Sequence, residues 1–265
     1  KDETNCVETE VLTISEPPIL SGNLLITQAV SCFGVCDGEI EFTVDATQFG
    51  TPPYQYSINN GVSFQNLTNF QTLCGDSVYD VIVKDTNNCP YTSSILLSAP
   101  NSLSYSLSIA DYNGFEISCN GADDGQITIN TPIGGTSPYE YSYDGGASYG
   151  SNNIFPNLEA DTFVISVRDF AGCTADTIIE MSEPAVFTIS PIITSEIDCN
   201  GNCNGEISSN PLTGVGQILY SLNQEAQQIS SIFSGLCHAI DTIAAVDENG
   251  CLDTVIVPVL EPGPF

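Results

Sequence analysis

The sequence predicts an all-β protein, a tandem array of immunoglobulin-like antiparallel β-sandwiches that are stapled by disulfides. Three observations predict it: a motif that recurs at a nearly fixed period, short segments in which polar and apolar residues alternate, and 11 cysteines in 265 residues. Alternation with a period of two is typical of strands with one buried face. Cysteines at this density, without histidine clusters, indicate an oxidising, extracellular environment.

The recurring motif is an Asp placed four residues before a Cys, followed by an apolar segment that ends at a Pro. It occurs at residues 2–6, 85–89, 169–173 and 247–251. Such a period indicates a tandem array. We expect the last strand of a preceding repeat at 1–17 and three repeats at 18–100, 101–184 and 185–265. Because proline at each boundary ends a strand and stiffens the link, the repeats are expected to form an extended rod.

Alternating segments within each repeat predict the strands. The clearest are residues 39–44, 126–129 and 206–208, and residues 54–58, 139–143 and 218–222. Another set leads into the recurring motif: residues 78–83, 163–167 and 240–246. With a first strand, at 24–30 in repeat 1, and a last strand after the motif, about seven short strands are expected per repeat, as in an immunoglobulin-like sandwich.

The charge of the chain excludes several partners. It carries 33 Asp and Glu but only 3 Lys and Arg, for a formal net charge of −30. Without cations to neutralise phosphates, binding to nucleic acid or to an anionic membrane surface is not expected. No apolar run of about 18 residues is present, so no membrane insertion is expected. Like charges on successive repeats repel each other, which also favours an extended, soluble array.

The cysteine pattern predicts disulfides within each repeat. Repeats 1 and 3 have four cysteines, whereas repeat 2 has Asp123 and Glu159 in place of the second and third. Because the loss of one partner alone would leave an unpaired thiol, the two missing cysteines are expected to be partners. The predicted bonds, at about 2–4 kcal/mol each, are Cys36–Cys74, Cys203–Cys237, Cys32–Cys89, Cys119–Cys173 and Cys199–Cys251, with Cys6 pairing upstream. Zinc ligation is disfavoured because repeat 2 cannot supply four ligands.

Acidic residues recur in the same loops and turns, which makes calcium the one cofactor to consider. Hard oxygen ligands on irregular loops suit Ca²⁺. The candidates are Asp37, Glu39, Asp85, Asp123, Asp124, Asp169 and Asp247. The alternative, which we favour because no EF-hand spacing is present, is that these side chains cap their own turns by accepting backbone N–H groups.

Other functional classes have less support in the residues. His238 is the single histidine and follows Cys237 directly. A hydrolase triad needs a histidine beside a serine and a carboxylate, so we expect no enzyme activity. Tyrosines in the alternating segments could stack on sugars, but their spacing is that of core positions and the chain has no Trp.

The repeated residues resemble the SprB repeat, found in the giant gliding-motility adhesins and related cell-surface proteins of Bacteroidota. The resemblance rests on Ser-Cys-x-Gly-x-Cys-Asp-Gly-Glu-Ile at 31–40, Gly-Thr-Pro-Pro-Tyr-x-Tyr-Ser at 50–57, a Leu-Cys pair, the Asp-x-x-x-Cys motif and the closing Glu-Pro. It covers the whole chain, although repeat 3 departs from the Gly-Thr-Pro-Pro turn at 214–217. It implies type IX secretion, display at the outer cell surface, and contact with the gliding or secretion machinery.

We therefore expect a stalk segment of a large cell-surface adhesin, involved in gliding motility and in attachment to surfaces or polysaccharide. Its immediate partners are neighbouring repeats of the same chain. The alternatives are a structural filament or surface-layer component, and an array of carbohydrate-binding modules. Short Asp-Ser/Thr-aliphatic sequences also resemble Bacteroidota O-glycosylation acceptors, with candidate sites at Ser77, Thr177, Thr242 and Thr254.

Overall fold

The regular elements of the chain are all β-strands. The computed structural model describes residues 8–14, 16, 19–45 and 50–264, and within these ranges it contains strands but no helix. Repeat 1 contributes β1 Gly22–Gln28, β2 Gly38–Val44, β3 Gln55–Ser57, β4 Asn69–Leu73, β5 Ser77–Lys84 and β6 Pro90–Leu97. Repeat 2 contributes β7 Leu107–Ile109, β8 Gly125–Ile129, β9 Glu140–Ser142, β10 Ile154–Leu158, β11 Thr162–Arg168 and β12 Thr174–Glu180. Repeat 3 contributes β13 Ile189–Ser195, β14 Gly205–Pro211, β15 Leu219–Leu222, β16 Ile232–Leu236, β17 Ala239–Val246 and β18 Leu252–Val259.

Each repeat forms two three-stranded antiparallel sheets. In repeat 1 the strand orders are β1-β2-β4 and β3-β5-β6, and repeats 2 and 3 have the matching orders. These orders are those of strands A-B-E and C-F-G in an immunoglobulin sandwich. The described residues hold six strands per repeat instead of the expected seven, since no strand D is formed between β3 and β4.

The chain divides into two compact units. The first comprises the described residues up to 102 together with 134–136 and 171–173, and it contains the core of repeat 1. The second comprises 103–133, 137–170 and the described residues from 174 onward, and it contains the cores of repeats 2 and 3. The rod and the repeat boundaries stay predictions.

Each core lies between the two sheets of its own repeat. In repeat 1, Ile40 and Phe42 from β2 meet Val81 and Val83 from β5, and all four side chains are fully buried. The alternation in the sequence points these residues inward. At the position of Phe42, repeat 3 carries Ser209, which is also fully buried and whose Oγ has no hydrogen-bond partner among the described residues.

In three strands the buried residues do not fall at every second position, and a bulge in each strand explains the difference. In β4 the buried residues are Phe70 and Leu73, three positions apart, and Thr72 has a φ of 57°. The register against β2 shifts at the same point. A bulge adds one residue and breaks the period of two. The equivalent strands β10 and β16 also show a register shift in their pairing.

The expected strand of a preceding repeat is not formed over residues 8–14. A strand draws its ladder hydrogen bonds from a neighbouring strand, and none pairs with this segment in the described part of the chain. Cys6 and the rest of residues 1–7 lie outside the described residues.

Candidate functional site at the repeat junction

The described cysteines form four disulfides of two kinds. Two lie within a repeat, as predicted, and are Cys36–Cys74 and Cys203–Cys237. The other two join cysteines of successive repeats, and are Cys32–Cys173 and Cys119–Cys251. The two cysteines that form no disulfide within the described part of the chain, Cys89 and Cys199, are exposed. The predicted bonds Cys32–Cys89, Cys119–Cys173 and Cys199–Cys251 are therefore wrong.

The sandwich topology explains the error. The first cysteine of repeat 1 lies in the opener loop, which we define as residues 31–38 and which precedes β2. The fourth lies in the cysteine turn, residues 85–89, whose Asp85 Oδ2 accepts a bond from the Thr51 N–H at 2.9 Å, beyond the far end of β2. Seven residues of strand, about 23 Å, separate the two ends. A disulfide requires Cα atoms within about 7 Å, so the two cysteines of one repeat cannot meet.

The best-defined junction lies in the second unit, where the cysteine turn of repeat 3 (247–251) meets the opener loop of repeat 2 (118–125). Asn249 Nδ2 donates to the carbonyl oxygens of Tyr112 at 3.1 Å and Ser118 at 3.2 Å. Asn113 Nδ2 donates to Asn249 Oδ1 at 2.6 Å. Cys251 is 7% exposed, and its Sγ lies 3.3 Å from the Ser118 carbonyl oxygen. The disulfide and one hydrogen bond thus hold the turn against the loop, and two further hydrogen bonds hold it against Tyr112 and Asn113, which precede the loop.

The first unit contains the same disulfide contact. Cys173 Sγ lies 3.4 Å from the carbonyl oxygen of Ser31, the residue that corresponds to Ser118. The turn at 169–173 carries Ala171 where repeat 3 carries Asn249. Because alanine has no polar side-chain atom, the amide hydrogen bonds of Asn249 have no counterpart at this position.

The recurring Asp shapes the cysteine turn. Asp247 Oδ1 accepts the N–H groups of Asn249 at 3.1 Å and Cys251 at 2.9 Å, and its Oδ2 accepts that of Val215 at 3.0 Å. Asp85 repeats the arrangement with Thr51, Asn87 and Cys89, each at 2.9 Å. These backbone donors, Thr51 first, lower the pKa of Asp85. The carboxylate four residues before the cysteine therefore fixes the backbone that presents the sulfur.

A second acidic position closes the opener loop. Asp37 Oδ1 accepts the Ser31 N–H at 3.0 Å, and Asp124 Oδ1 accepts the Ser118 N–H at 3.1 Å. In repeat 3, Asn204 takes the same role toward the N–H of Asp198 at 3.3 Å. The bonds from Ser31 lower the pKa of Asp37.

The glutamate of the closing Glu-Pro pair clamps the opener loop, a role that sequence reasoning missed. Glu183 accepts the Asn120 side-chain amide and the Gly121 N–H, both at 2.6 Å. Glu261 accepts the same groups of Asn200 and Gly201, at 3.0 and 2.8 Å. Repeat 1 has Phe33 in place of this Asn and Ala99 in place of this Glu. Because the Asn and the Glu are present together in repeats 2 and 3 and absent together in repeat 1, the sequence alone could have indicated that they interact.

The calcium candidates do not converge on a cation site. Within the described ranges, no three His, Cys, Asp or Glu side chains are grouped so as to hold a metal ion. The oxygens of Asp37, Asp85, Asp124 and Asp247 face N–H donors, which would repel a cation, and those of Glu39 accept side-chain amides of Asn69 and Gln71 at 3.2 and 3.1 Å. Asp169 is buried in its turn and Asp123 is exposed. The favoured alternative, in which the side chain caps a turn or loop by accepting backbone N–H groups, describes Asp37, Asp85, Asp124 and Asp247.

The remaining candidates are scattered over the surface or belong to the cores. Thr177, Thr254 and His238 are exposed, whereas Ser77 and Thr242 are half-buried. The tyrosines take core positions: Tyr56 and Tyr220 are each 4% exposed, and the others pack partly buried against a core, namely Tyr54, Tyr139 and Tyr141. They present no aromatic platform. No helix among the residues described here is long and apolar enough to cross a membrane.

The fold and the junction define the class of the protein: a tandem array of immunoglobulin-like sandwiches whose successive members are joined by disulfides. A family model of the SprB repeat matches residues 25–63 and 116–148. The chain therefore contains SprB-repeat segments, one in repeat 1 and one in repeat 2. Repeat 3 has the same strand order, although its turn at 214–217 departs from the motif.

The similar solved structures each contain several consecutive domains. They include Dpr2 Ig1-Ig2 in complex with DIP-Theta (9% identity, 91% of this chain and 98% of that chain, TM-score 0.29). Protocadherin Gamma B2 cadherin domains 3–6 match at 12% identity over 91% and 73% of the two chains, with a TM-score of 0.28. Chicken CNTN1 FN1-FN3 matches at 12% over 93% and 100%, with a TM-score of 0.24. No curated protein matches the sequence. At these identities and TM-scores no function is transferred.

Proposed function

We propose that the chain is a stalk segment of a large cell-surface adhesin that takes part in gliding motility and in attachment to surfaces or polysaccharide. The observation that carries the proposal is the pair of disulfides between successive repeats, Cys32–Cys173 and Cys119–Cys251. A bond inside one sandwich stabilises that domain alone. A bond between repeats keeps neighbouring domains attached, which is what a stalk requires.

The cysteines and the repeat family support the location. Disulfides persist in oxidising compartments, outside the cytoplasm. The SprB repeat, matched in two segments, supports secretion by the type IX system and contact with the gliding or secretion machinery. The acidic surface supports solubility of a long array. In this proposal the repeats space other domains from the cell and perform no catalysis.

A structural filament or surface-layer component is the second candidate, and exposed apolar side chains favour it. Ile192 on β13 and Ile232 on β16 flank Ser208 on the same sheet of repeat 3, and they are 52% and 50% exposed. A row of this kind suits lateral packing of one chain against another. In a stalk that contacts no neighbouring chain, these exposed isoleucines would have no packing partner.

Fluorescence microscopy on living source cells separates these functions. The probe is a labelled antibody raised against the 265-residue chain, with pre-immune serum as the control. Label that travels along the cell surface supports the gliding adhesin. Label that is exposed but stationary supports the filament or surface layer. Label that appears only after permeabilisation overturns both functions and the surface location.

A further inference from the structure

The exposed thiols of Cys89 and Cys199 occupy positions whose counterparts are disulfide-bonded. We propose that each thiol is half of a further junction: Cys199 receives the turn cysteine of another SprB-type repeat, and Cys89 receives the opener-loop cysteine of another. The partner is a sandwich that carries the complementary loop or turn. The inference rests on the two junction disulfides, and holds wherever the protein is located.

Cys89 is held in the same local backbone as the bonded Cys251. Asp85 Oδ1 accepts the N–H of Cys89 at 2.9 Å, and Asp247 Oδ1 accepts that of Cys251 at the same distance. The residue before each cysteine has positive φ, 65° at Asn88 and 90° at Gly250. The turn of repeat 1 is therefore already shaped to present its sulfur.

Cys199 is held like the bonded Cys119. The carbonyl oxygen of Cys199 accepts the Asn202 N–H at 3.0 Å, and that of Cys119 accepts the Ala122 N–H at 3.0 Å. Both loops carry the glutamate clamp, from Glu261 and Glu183 respectively. The free loop thus has the conformation of the bonded one.

A cleft at the end of repeat 3 is the independent observation that points to a partner, and one of its lining residues, Ile197, lies two residues before Cys199. It has a volume of about 350 Å³, and its lining combines the glutamates Glu196 and Glu261 with apolar side chains that include Ile193, Ile197, Leu260 and Pro262. Leu260 is 65% exposed and Ile193 is 41% exposed. A free domain end gains nothing from exposing these side chains, whereas a docked partner would cover them.

The second unit shows what lies next to the matching end of repeat 2. There, Pro184, the counterpart of Pro262, lines a cleft together with residues 213–215, part of the turn that precedes the third strand of repeat 3. Repeat 1 carries the equivalent turn at 50–53, whose Thr51 accepts the N–H of Thr86 at 3.0 Å beside the cysteine turn. Thr51 and Cys89 are both exposed. Repeat 1 of one copy therefore offers the surface that would cover repeat 3 of another.

Formation of the bond is an ordinary two-electron oxidation. The two thiols lose two protons and two electrons and form one S–S bond, while a small-molecule disulfide such as oxidised glutathione is reduced to two thiols. Docking of the turn against the loop raises the local concentration of the thiols, so the correct pair should form fastest.

The test uses two variants of the full chain in a Cys6→Ser background. One carries C89S and keeps Cys199; the other carries C199S and keeps Cys89. In a glutathione redox buffer, the mixture should give a Cys199–Cys89 heterodimer about tenfold faster than either variant gives a homodimer, because only the mixed pair can dock. Non-reducing electrophoresis and peptide mass mapping give the rates and the linkage. Equal rates, or a Cys89–Cys199 bond within one wild-type monomer, would overturn the proposal.

A tandem fusion of two full chains decides the case in which separate molecules form no disulfide-linked dimer of any kind, so that no rates can be compared. Mass mapping should find Cys199 of the first copy bonded to Cys89 of the second, with the four existing disulfides of each copy retained. Alkylation of both cysteines in the oxidised fusion would refute the proposed junction. Asp85→Ala in the second copy should slow the bond, because the turn then loses the carboxylate that orients Cys89.

Discussion

The side-chain amide of Asn249 donates a hydrogen bond to the main-chain carbonyl of Ser118, across 3.2 Å and 131 residues of sequence. Ser118 directly precedes Cys119, and Asn249 lies two residues before Cys251, so the hydrogen bond runs beside the disulfide. The turn of repeat 2 has Ala171 at this position. Two junctions with the same covalent bond therefore differ in their polar contacts.

We expect Asn249→Ala to loosen the junction in the second unit. The change removes two donors to carbonyl oxygens and leaves Asn113 without its acceptor, at a net cost of about 1–3 kcal/mol. The Cys119–Cys251 disulfide should then be reduced by dithiothreitol about tenfold faster, as alkylation and mass mapping would measure. Asn87→Ala is the matched control, because within the described ranges the side-chain amide of Asn87 donates a hydrogen bond only to the hydroxyl of Thr51, at 2.9 Å. An equal acceleration in both variants would contradict the assigned role.

Ser209→Ala should stabilise repeat 3. In the part of the chain that the structure describes, the buried hydroxyl of Ser209 has no hydrogen-bond partner, and it lies at a position where repeats 1 and 2 bury Phe42 and Ile129. Removal of an unpaired buried polar atom should raise the free energy of unfolding by about 1 kcal/mol. Thermal unfolding measures this, and Ser208→Ala on the outward side of the same strand should change little. Destabilisation by Ser209→Ala would mean that the hydroxyl has a partner after all.

Asp144 should make the stability of repeat 2 depend on acid pH. Hydrogen bonds, chiefly from Ser142 and then from Ser148, lower the pKa of Asp144 to about 2. Because the folded pKa lies below the ordinary value, the stabilisation is present above about pH 4 and is lost as the pH falls through about 2. The midpoint of thermal unfolding should therefore drop over this range.

Asp144→Asn provides the control, because repeat 1 carries Asn59 at the same position with equivalent bonds to Ser57 and Ser63. The variant should keep the hairpin but lose this part of the pH dependence. Identical pH profiles for the variant and the wild type would disprove the assignment.

Calcium should have no specific effect on stability. The oxygens of Asp85 and Asp247 are taken up by backbone donors. A chain with a net charge of −30 will nonetheless respond to screening by any salt. The midpoint of thermal unfolding should therefore change equally with CaCl₂ and with MgCl₂ at the same ionic strength. A shift with calcium alone, abolished by EDTA, would show a site that this geometry does not contain.

The sequence predicted the strands whose side chains alternate and missed those that a bulge interrupts. β2 and β5 could be located because Ile40, Phe42, Val81 and Val83 fall at every second position. β4 could not, because the bulge at Thr72 sets its buried residues three apart. A period of two identifies a strand whose alternate side chains point into the core. A bulge adds one residue to the strand and breaks that period, so the strand is not recognised from the sequence.

The disulfide pairing, too, could be predicted only in part from the sequence. Comparison between repeats identified Cys36–Cys74 and grouped the first and fourth cysteines as one pairing class. It could not say which repeat supplies each partner, since the spacing of 78 to 84 residues between turns is the same for both assignments. The geometry of the sandwich distinguishes the two assignments. The opener loop lies at one end of β2 and the cysteine turn of the same repeat lies beyond the other end, too far away for a disulfide. The pattern of residues within one repeat does not reveal which residues contact a neighbouring repeat.

The two junction disulfides overlap along the chain, because residue 119 lies between residues 32 and 173. Under tension, the shortest covalent route from Cys32 to Cys251 crosses to Cys173, runs backwards to Cys119 and crosses again. At about 3.5 Å per residue, the 54 residues between 119 and 173 extend to about 190 Å, against about 770 Å for the 219 residues between 32 and 251 without the bonds. Most of the polypeptide would stay slack even after every sandwich had unfolded, so a pulled molecule lengthens little and can refold when the force is released.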